Sequence, residues 1–98
     1  MIELNSAQRK KLSYIATKLN PVVMVGSAGL TDGVKKMVAD SLAAHELIKV
    51  KFVDFKDEKQ EITQEICSAC DAALVRIIGN IAILYKKSED PDRRKIEL

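Results

Sequence analysis

At 98 residues, of which 47% are apolar, the chain has room for one domain, since folded domains take roughly 50 to 200 residues. Its 16 Lys and Arg against 14 Asp and Glu leave a net charge of +2, too small a surplus to argue for a nucleic-acid partner by itself. Two cysteines and one histidine exclude a disulfide framework and fall a ligand short of a closed zinc site, and with no apolar run near the roughly 18 residues of a membrane helix and no signal-peptide core the chain reads as soluble and cytoplasmic.

From Asn5 to Leu19 the residues Leu12, Ile15, Ala16 and Leu19 form one stripe at helical spacing, and Asn5 and Gln8 stand where a capping box would put them. This predicts a first helix. Pro21 cannot continue it, and Val22-Val23-Met24-Val25 is a short unbroken apolar run, the pattern of a strand buried on both faces. Gly26-Ser27-Ala28-Gly29 ends that strand, and Thr31 is a good N-cap for a second helix with a stripe of Val34, Met37, Val38, Ser41 and Leu42. Leu47 to Phe55 alternates, with Ile48, Val50 and Phe52 on a core face and Lys49 and Lys51 on a basic, open one.

Asp57 and Gln60 are spaced for another capping box before a third helix carrying Ile62, Ile66, Ala69, Cys70 and Ala73. Leu74 to Lys86 holds two β-rich runs around Gly79-Asn80, a loop suited to a type II′ hairpin. That loop sets Ile77 opposite Ala82 and Val75 opposite Leu84 on the core side. Leu74, Arg76, Ile83 and Tyr85 are left on the other side, too apolar to be wholly solvated, so the first helix is expected to cover part of it. Residues 88–98 (SEDPDRRKIEL) are charged and broken by proline, and read as a disordered tail behind a domain of residues 1–87. The expected fold class is α/β in the α+β sense, in the order α-β-α-β-α-β-β. Its four-stranded mixed sheet has the first three strands parallel and the last antiparallel.

Charge is segregated along the chain. Residues 57–72 carry one basic and five acidic side chains, leaving +6 on the remainder. The molecule should therefore be polarised, with an acidic third helix. Lys11 and Lys18 are seven apart and share a flank of the first helix, with Lys10 and Tyr14 behind its apolar stripe. They compose a cationic ridge with one aromatic, although a solvated helix face would look the same.

In the glycine-bracketed loop, two residues without Cβ let a backbone partner approach, and the helix that follows turns free N–H groups outward, a geometry suited to phosphate. A tight turn needing positive φ explains the same glycines. The loop runs on as Leu30-Thr31-Asp32, without the lysine and hydroxyl that end a nucleotide P-loop. Cys67 and Cys70 fall in the third turn of the third helix, away from the N-terminal dipole that activates thioredoxin-type pairs, and read as small core residues. His45 closes the second helix and reads as a dipole-complementing residue. The carboxylates of the third helix are too many and too evenly spread for a tuned acid/base pair. No cofactor, metal or small-molecule substrate is expected, and the chain is not expected to be an enzyme.

Taken together, Pro21-Val22-Val23, VGSAGLTDGV from Val25 to Val34, AHELIKVK from Ala44 to Lys51, and IIG with ILYKKS between Ile77 and Ser88 resemble the CRM domain family of RNA-binding proteins, in its bacterial single-domain, YhbY-like form. The resemblance spans residues 2 to 88. It implies a fold similar to the C-terminal domain of bacterial translation initiation factor three, and a GxxG loop like that of the K-homology domain. It also implies a role in large-subunit ribosome assembly through ribosomal RNA; plant relatives act in group II intron splicing. Carried onto this chain, the loop is Gly26 to Gly29, the strand lysines are Lys49 and Lys51, and the histidine is His45.

The expected function is that of a non-catalytic, monomeric RNA-binding protein acting on precursor large ribosomal subunit RNA, without a membrane partner. Gly26, Ser27, Ala28, Gly29, Lys10, Lys11, Tyr14, Lys18, Lys49 and Lys51 are the candidate contacts. Tyr14 and Tyr85 are the plausible stacking residues. A protein–protein adaptor using the acidic third helix or the open sheet face is the alternative, and a thiol oxidoreductase a third.

Overall fold

In the computed structural model, which describes residues 3–94 and 96, the first capping box is present: the Asn5 side chain accepts from the Gln8 N–H at 2.8 Å, and Gln8 Oε1 accepts from the Asn5 N–H at 3.0 Å. It opens α1 (Ser6–Ala16). β1 (Val23–Val25) leads into α2 (Asp32–His45), where Thr31 Oγ1 accepts from the Val34 N–H at 3.1 Å. β2 (Leu47–Phe52), a 3₁₀ turn (Lys56–Glu58), α3 (Lys59–Cys70), β3 (Ala73–Ile78) and β4 (Ile81–Tyr85) complete the domain.

The four strands lie in the order β1-β2-β4-β3. β1 runs parallel to β2, and β4 is antiparallel to both β2 and β3. The first three strands therefore share a direction as expected, but β4 separates β2 from β3. The reason is burial: Ala82 and Leu84 on one side of β4, and Ile83 and Tyr85 on the other, are all enclosed, which only an interior strand allows. Gly79 has φ +58 and Asn80 does not have positive φ, in agreement with a II′ turn.

Each sheet face has its own core. Val23, Val25, Ile48, Val50, Ala82 and Leu84 pack under α2 and α3. Leu47, Ala73, Val75, Ile83 and Tyr85 pack under Leu12 and Ala16 of α1. The second face of the hairpin is thus covered in part by the first helix, as its composition predicts.

Several expectations are corrected. β1 is an edge strand with Met24 58% exposed, so it is not buried on both faces. A bulge lies between Leu74 and Arg76, putting Leu74 opposite Leu84 and Arg76 opposite Ile83. The extra residue turns Val75 to the α1 side while Leu74 packs toward α2 and α3. Asp57 and Gln60 form no capping box, because Lys56–Glu58 close a 3₁₀ turn and α3 begins behind it with no side-chain cap. Thr63 and Cys67 point inward on α3, whereas Ala69 is exposed and Ala73 starts β3. Met37 on α2 is also exposed.

The expected disordered tail finds partners where it is described. Glu46, fully buried at φ +63, accepts from the Ser88 N–H at 2.6 Å and from the Ile96 N–H at 3.3 Å. Arg94 Nε donates to the Ser88 carbonyl at 2.9 Å, and Ile96 packs against the α1-side core. Lys95, Glu97 and Leu98 lie outside the described residues. Among the described residues no helix is long and apolar enough to cross a membrane.

Candidate nucleic-acid interface

The glycine-bracketed loop is a closed turn: the Gly29 N–H donates to the Gly26 carbonyl at 2.9 Å, leaving Ser27 and Ala28 exposed at the tip. The Ser27 and Ala28 N–H groups have no partner among the described residues. Gly29 has φ +69, and a Cβ there would stand 3.3 Å from the ring of Phe55, so this glycine is required twice over. Gly26 has no positive φ and open space around it. Asp32 sits in the first turn of α2 and already complements the positive end of that helix, so an anion here would be held by the loop amides rather than by the dipole.

The loop is buttressed by the segment after β2. The Val25 carbonyl accepts from the Val53 and Asp54 N–H groups at 2.9 and 3.2 Å. Asp54 Oδ1 accepts from the Phe55 N–H at 2.8 Å, and Phe55 itself is left-handed at φ +54. The tip of the β3–β4 hairpin lies at the same end of the sheet: the Phe52 N–H donates to the Asn80 carbonyl at 2.8 Å, and Lys59 Nζ to the Gly79 carbonyl at 2.7 Å.

On the α1 face of the sheet, side chains run in rows. Leu47, Tyr85 and Ala73 form a buried row, Lys49, Ile83 and Arg76 the next, and Met24, Lys51, Ile81 and Ile78 the last. α1 stops short of that last row, with Ser13 and Thr17 bordering Lys49, Ile78, Ile81 and Ile83. The strand lysines consequently part company. Lys49 is half-buried and donates from Nζ to the Leu19 carbonyl at 3.0 Å, anchoring the end of the first helical segment. Lys51 is exposed in the open row beside the loop strand.

The α1 residues part as well. At about 100° per residue, Ser13 and Thr17 occupy the flank toward the open row, and Lys10 and Tyr14 stand on the crest. Lys11 leaves from the opposite flank with Ile15, which joins Leu19, Val22, His45 and Leu47 around a separate apolar groove. Lys18 Nζ lies 5.9 Å from the centre of the Tyr14 ring. The fold therefore gathers the loop, Lys51 and the hairpin tip at one end of the sheet, with Lys11 on the far flank of α1. Lys10, Lys18 and Lys51 form no ion pair among the described residues. The exposed acids Glu61 and Glu65 of α3 lie across the sheet.

Tyr85 is 1% exposed, which corrects its assignment as a stacking residue. Phe55 is the aromatic at the loop end of the sheet: a Cβ on Gly29 would stand 3.3 Å from its ring, and the residue is 38% exposed. One sequence signal does point to it. By strand alternation Phe55 shares the parity of Lys49 and Lys51, an aromatic on the polar register. The cysteines are enclosed and unactivated. Burial, and then the neighbouring Cys70, pushes the Cys67 thiol up to about 11. Burial also raises Cys70, opposed by Lys86 and Lys35, and the Cys70 thiol donates to the Lys35 carbonyl at 3.6 Å. No group of three or more potential metal ligands occurs among the described residues.

A family model described as the CRS1 / YhbY (CRM) domain matches residues 4–86. The chain is 43% identical over 91 residues to a protein of Haemophilus influenzae named RNA-binding protein, covering 92% of each chain. It is 33% identical to the probable RNA-binding protein YqeI of Bacillus subtilis, covering 97% of this chain and 98% of that one. The solution structure of the hypothetical protein SAV1595 from Staphylococcus aureus superposes with a TM-score of 0.80 at 26% identity, covering 97% of this chain and all of the other.

Proposed function

Because the chain belongs to the CRS1/YhbY (CRM) domain family, we propose that it is a non-catalytic RNA-binding protein that docks on precursor large-subunit ribosomal RNA and assists assembly of that subunit, as a monomer in the bacterial cytoplasm. The observation that carries the RNA-binding reading is the closed loop, with two N–H groups at its tip left without partners, at the end of the strand that pairs with Lys51, whose side chain stands on the opposite sheet face from acidic α3. Curated relatives named as RNA-binding proteins support it. The loop amides take one phosphate and Lys51 a neighbouring one, with Lys10 extending the contact over the crest of α1. Such contacts read backbone shape, so sequence selectivity is expected to be weak.

The experiment is a salt titration with structured large-subunit ribosomal RNA. Log affinity should fall linearly with log salt, and Gly29→Asp, which places a carboxylate in the loop, should weaken binding. Affinity independent of salt would overturn the reading. The adaptor alternative has the exposed Met24 and Ile78 of the open sheet face in its favour, at 58% and 52% exposure. It predicts co-sedimentation with precursor particles that survives nuclease treatment, whereas the RNA reading predicts release.

A further inference from the structure

The chain has four aromatic side chains, two Tyr and two Phe. Phe52 and Tyr85 are each 1% exposed and belong to the cores. Tyr14 stands on α1 with Lys18 against its ring. That leaves Phe55 as the open aromatic surface at the loop end of the sheet.

Its setting is unlike that of a core residue. Phe55 occupies the left-handed region at φ +54, which non-glycine residues seldom adopt unless their surroundings impose it. The surroundings do so here, through the Asp54 carboxylate on its N–H at 2.8 Å and the Glu58 N–H on its carbonyl at 3.1 Å. The strained backbone aims the ring at Gly29, where a Cβ would stand 3.3 Å from Cε2. Most of the residue is covered, yet 38% of it stays in solvent. The result is a fixed aromatic surface within one side-chain contact of the two unpartnered loop amides.

We propose that Phe55 is a stacking platform for one unpaired nucleobase, placed so that the loop amides hold the adjoining phosphate; this rests on the RNA-binding reading and adds a base contact to it. Asp54, Asp57 and Glu58 flank the ring in the chain against Lys56 alone, a net charge of −2 over residues 54–58, so a phosphate on the ring itself would be repelled, while an uncharged base would not. Stacking of a base on an aromatic side chain is tolerant of sequence. The site is therefore selective for single-stranded or bulged segments rather than for a particular base.

The test uses the full chain and two labelled probes, an eight-nucleotide oligoadenylate and an abasic ribose-phosphate oligomer of equal length, followed by fluorescence anisotropy. Phe55→Leu keeps an apolar cover over Gly29 but has no π-face. It should weaken oligoadenylate binding by about 5-fold or more and leave the abasic oligomer unchanged, while Phe55→Tyr retains both affinities. The chain contains no tryptophan, so Phe55→Trp supplies a unique emission that oligoadenylate should quench and the abasic oligomer should not. Equal losses on both probes with Phe55→Leu, no loss on either, or no preference of the unaltered protein for oligoadenylate would each overturn the stacking role. The first two leave RNA binding intact. Failure of the unaltered protein to bind structured ribosomal RNA as well would sink the underlying reading instead.

Discussion

Two glycines that look equivalent in the chain have unequal work. Gly29 combines φ +69 with a ring 3.3 Å from where a Cβ would sit, whereas Gly26 has neither constraint. Gly29→Ala should cost about 1–2 kcal/mol from the left-handed backbone alone, with the clash against Phe55 added. Gly26→Ala should be neutral or slightly stabilising. For a domain of this size the first loss lowers Tm by roughly 4–8 °C per kcal/mol, so thermal melting separates the two variants; similar melting temperatures would mean the loop relaxes freely. Cys67 gives a pH-dependent signature. Its thiol is raised from 9.0 to about 11 in the folded state, so folding favours the protonated form. The stability this contributes is complete below pH 9.0 and declines as pH rises toward about 11. At pH 8 iodoacetamide should label Cys67 slowly in the native protein and rapidly after unfolding; fast native labelling would contradict the enclosed, neutral thiol.

At the scale of elements, local chemistry was readable and long-range choice was not. Asn5 with Gln8, and Thr31 before α2, are caps whose partners lie three residues away, and pattern alone finds them. Asp57 and Gln60 have the same spacing but lose to the 3₁₀ turn at Lys56–Glu58, which is set by how the chain leaves β2. Val75 could not be placed by alternation, because the bulge that turns it toward α1 is a property of the β3–β4 pair. The insertion of β4 between β2 and β3 likewise depends on comparing both faces of several strands at once. In the candidate site, the glycines announced the loop. The division between Lys51 and Lys49, or between Lys10 and Lys11, required knowing where α1 crosses the sheet.

The same scale holds the Glu46 latch, which joins the end of α2 to the segment after β4. Its carboxylate receives the Ser88 and Ile96 N–H groups, and hydrogen bonds to a charged group are worth about 1.5–3 kcal/mol. Glu46 also sits at φ +63, where glycine would be more comfortable than glutamate. Glu46→Gly therefore opposes two effects of opposite sign. If the latch dominates, the variant melts lower and the Ser88 amide loses protection from hydrogen exchange; a higher Tm would show that relief of backbone strain outweighs it.

For the whole molecule, the distance between charges matters as much as their sign. α1 and α3 pack on opposite sheet faces in a body whose Cα extents are 36 × 24 × 22 Å. The Debye length is about 10 Å at 0.1 M salt, so charges on the outer side of α3 are largely screened from RNA bound over the open row on the α1 face. Two pairs of reversals can therefore be set against each other. Lys10→Glu with Lys51→Glu lowers the net charge by as much as Glu61→Lys with Glu65→Lys raises it. If the face matters, the first pair should abolish most of the affinity for structured ribosomal RNA. It should also flatten the plot of log affinity against log salt by about 0.7–0.9 for each phosphate that is no longer neutralised. The second pair should leave the slope as it is and strengthen binding only at low salt, where screening weakens. Equal and opposite shifts from the two pairs, at every salt concentration, would show that RNA responds to net charge alone and that the layered segregation of charge contributes nothing to binding.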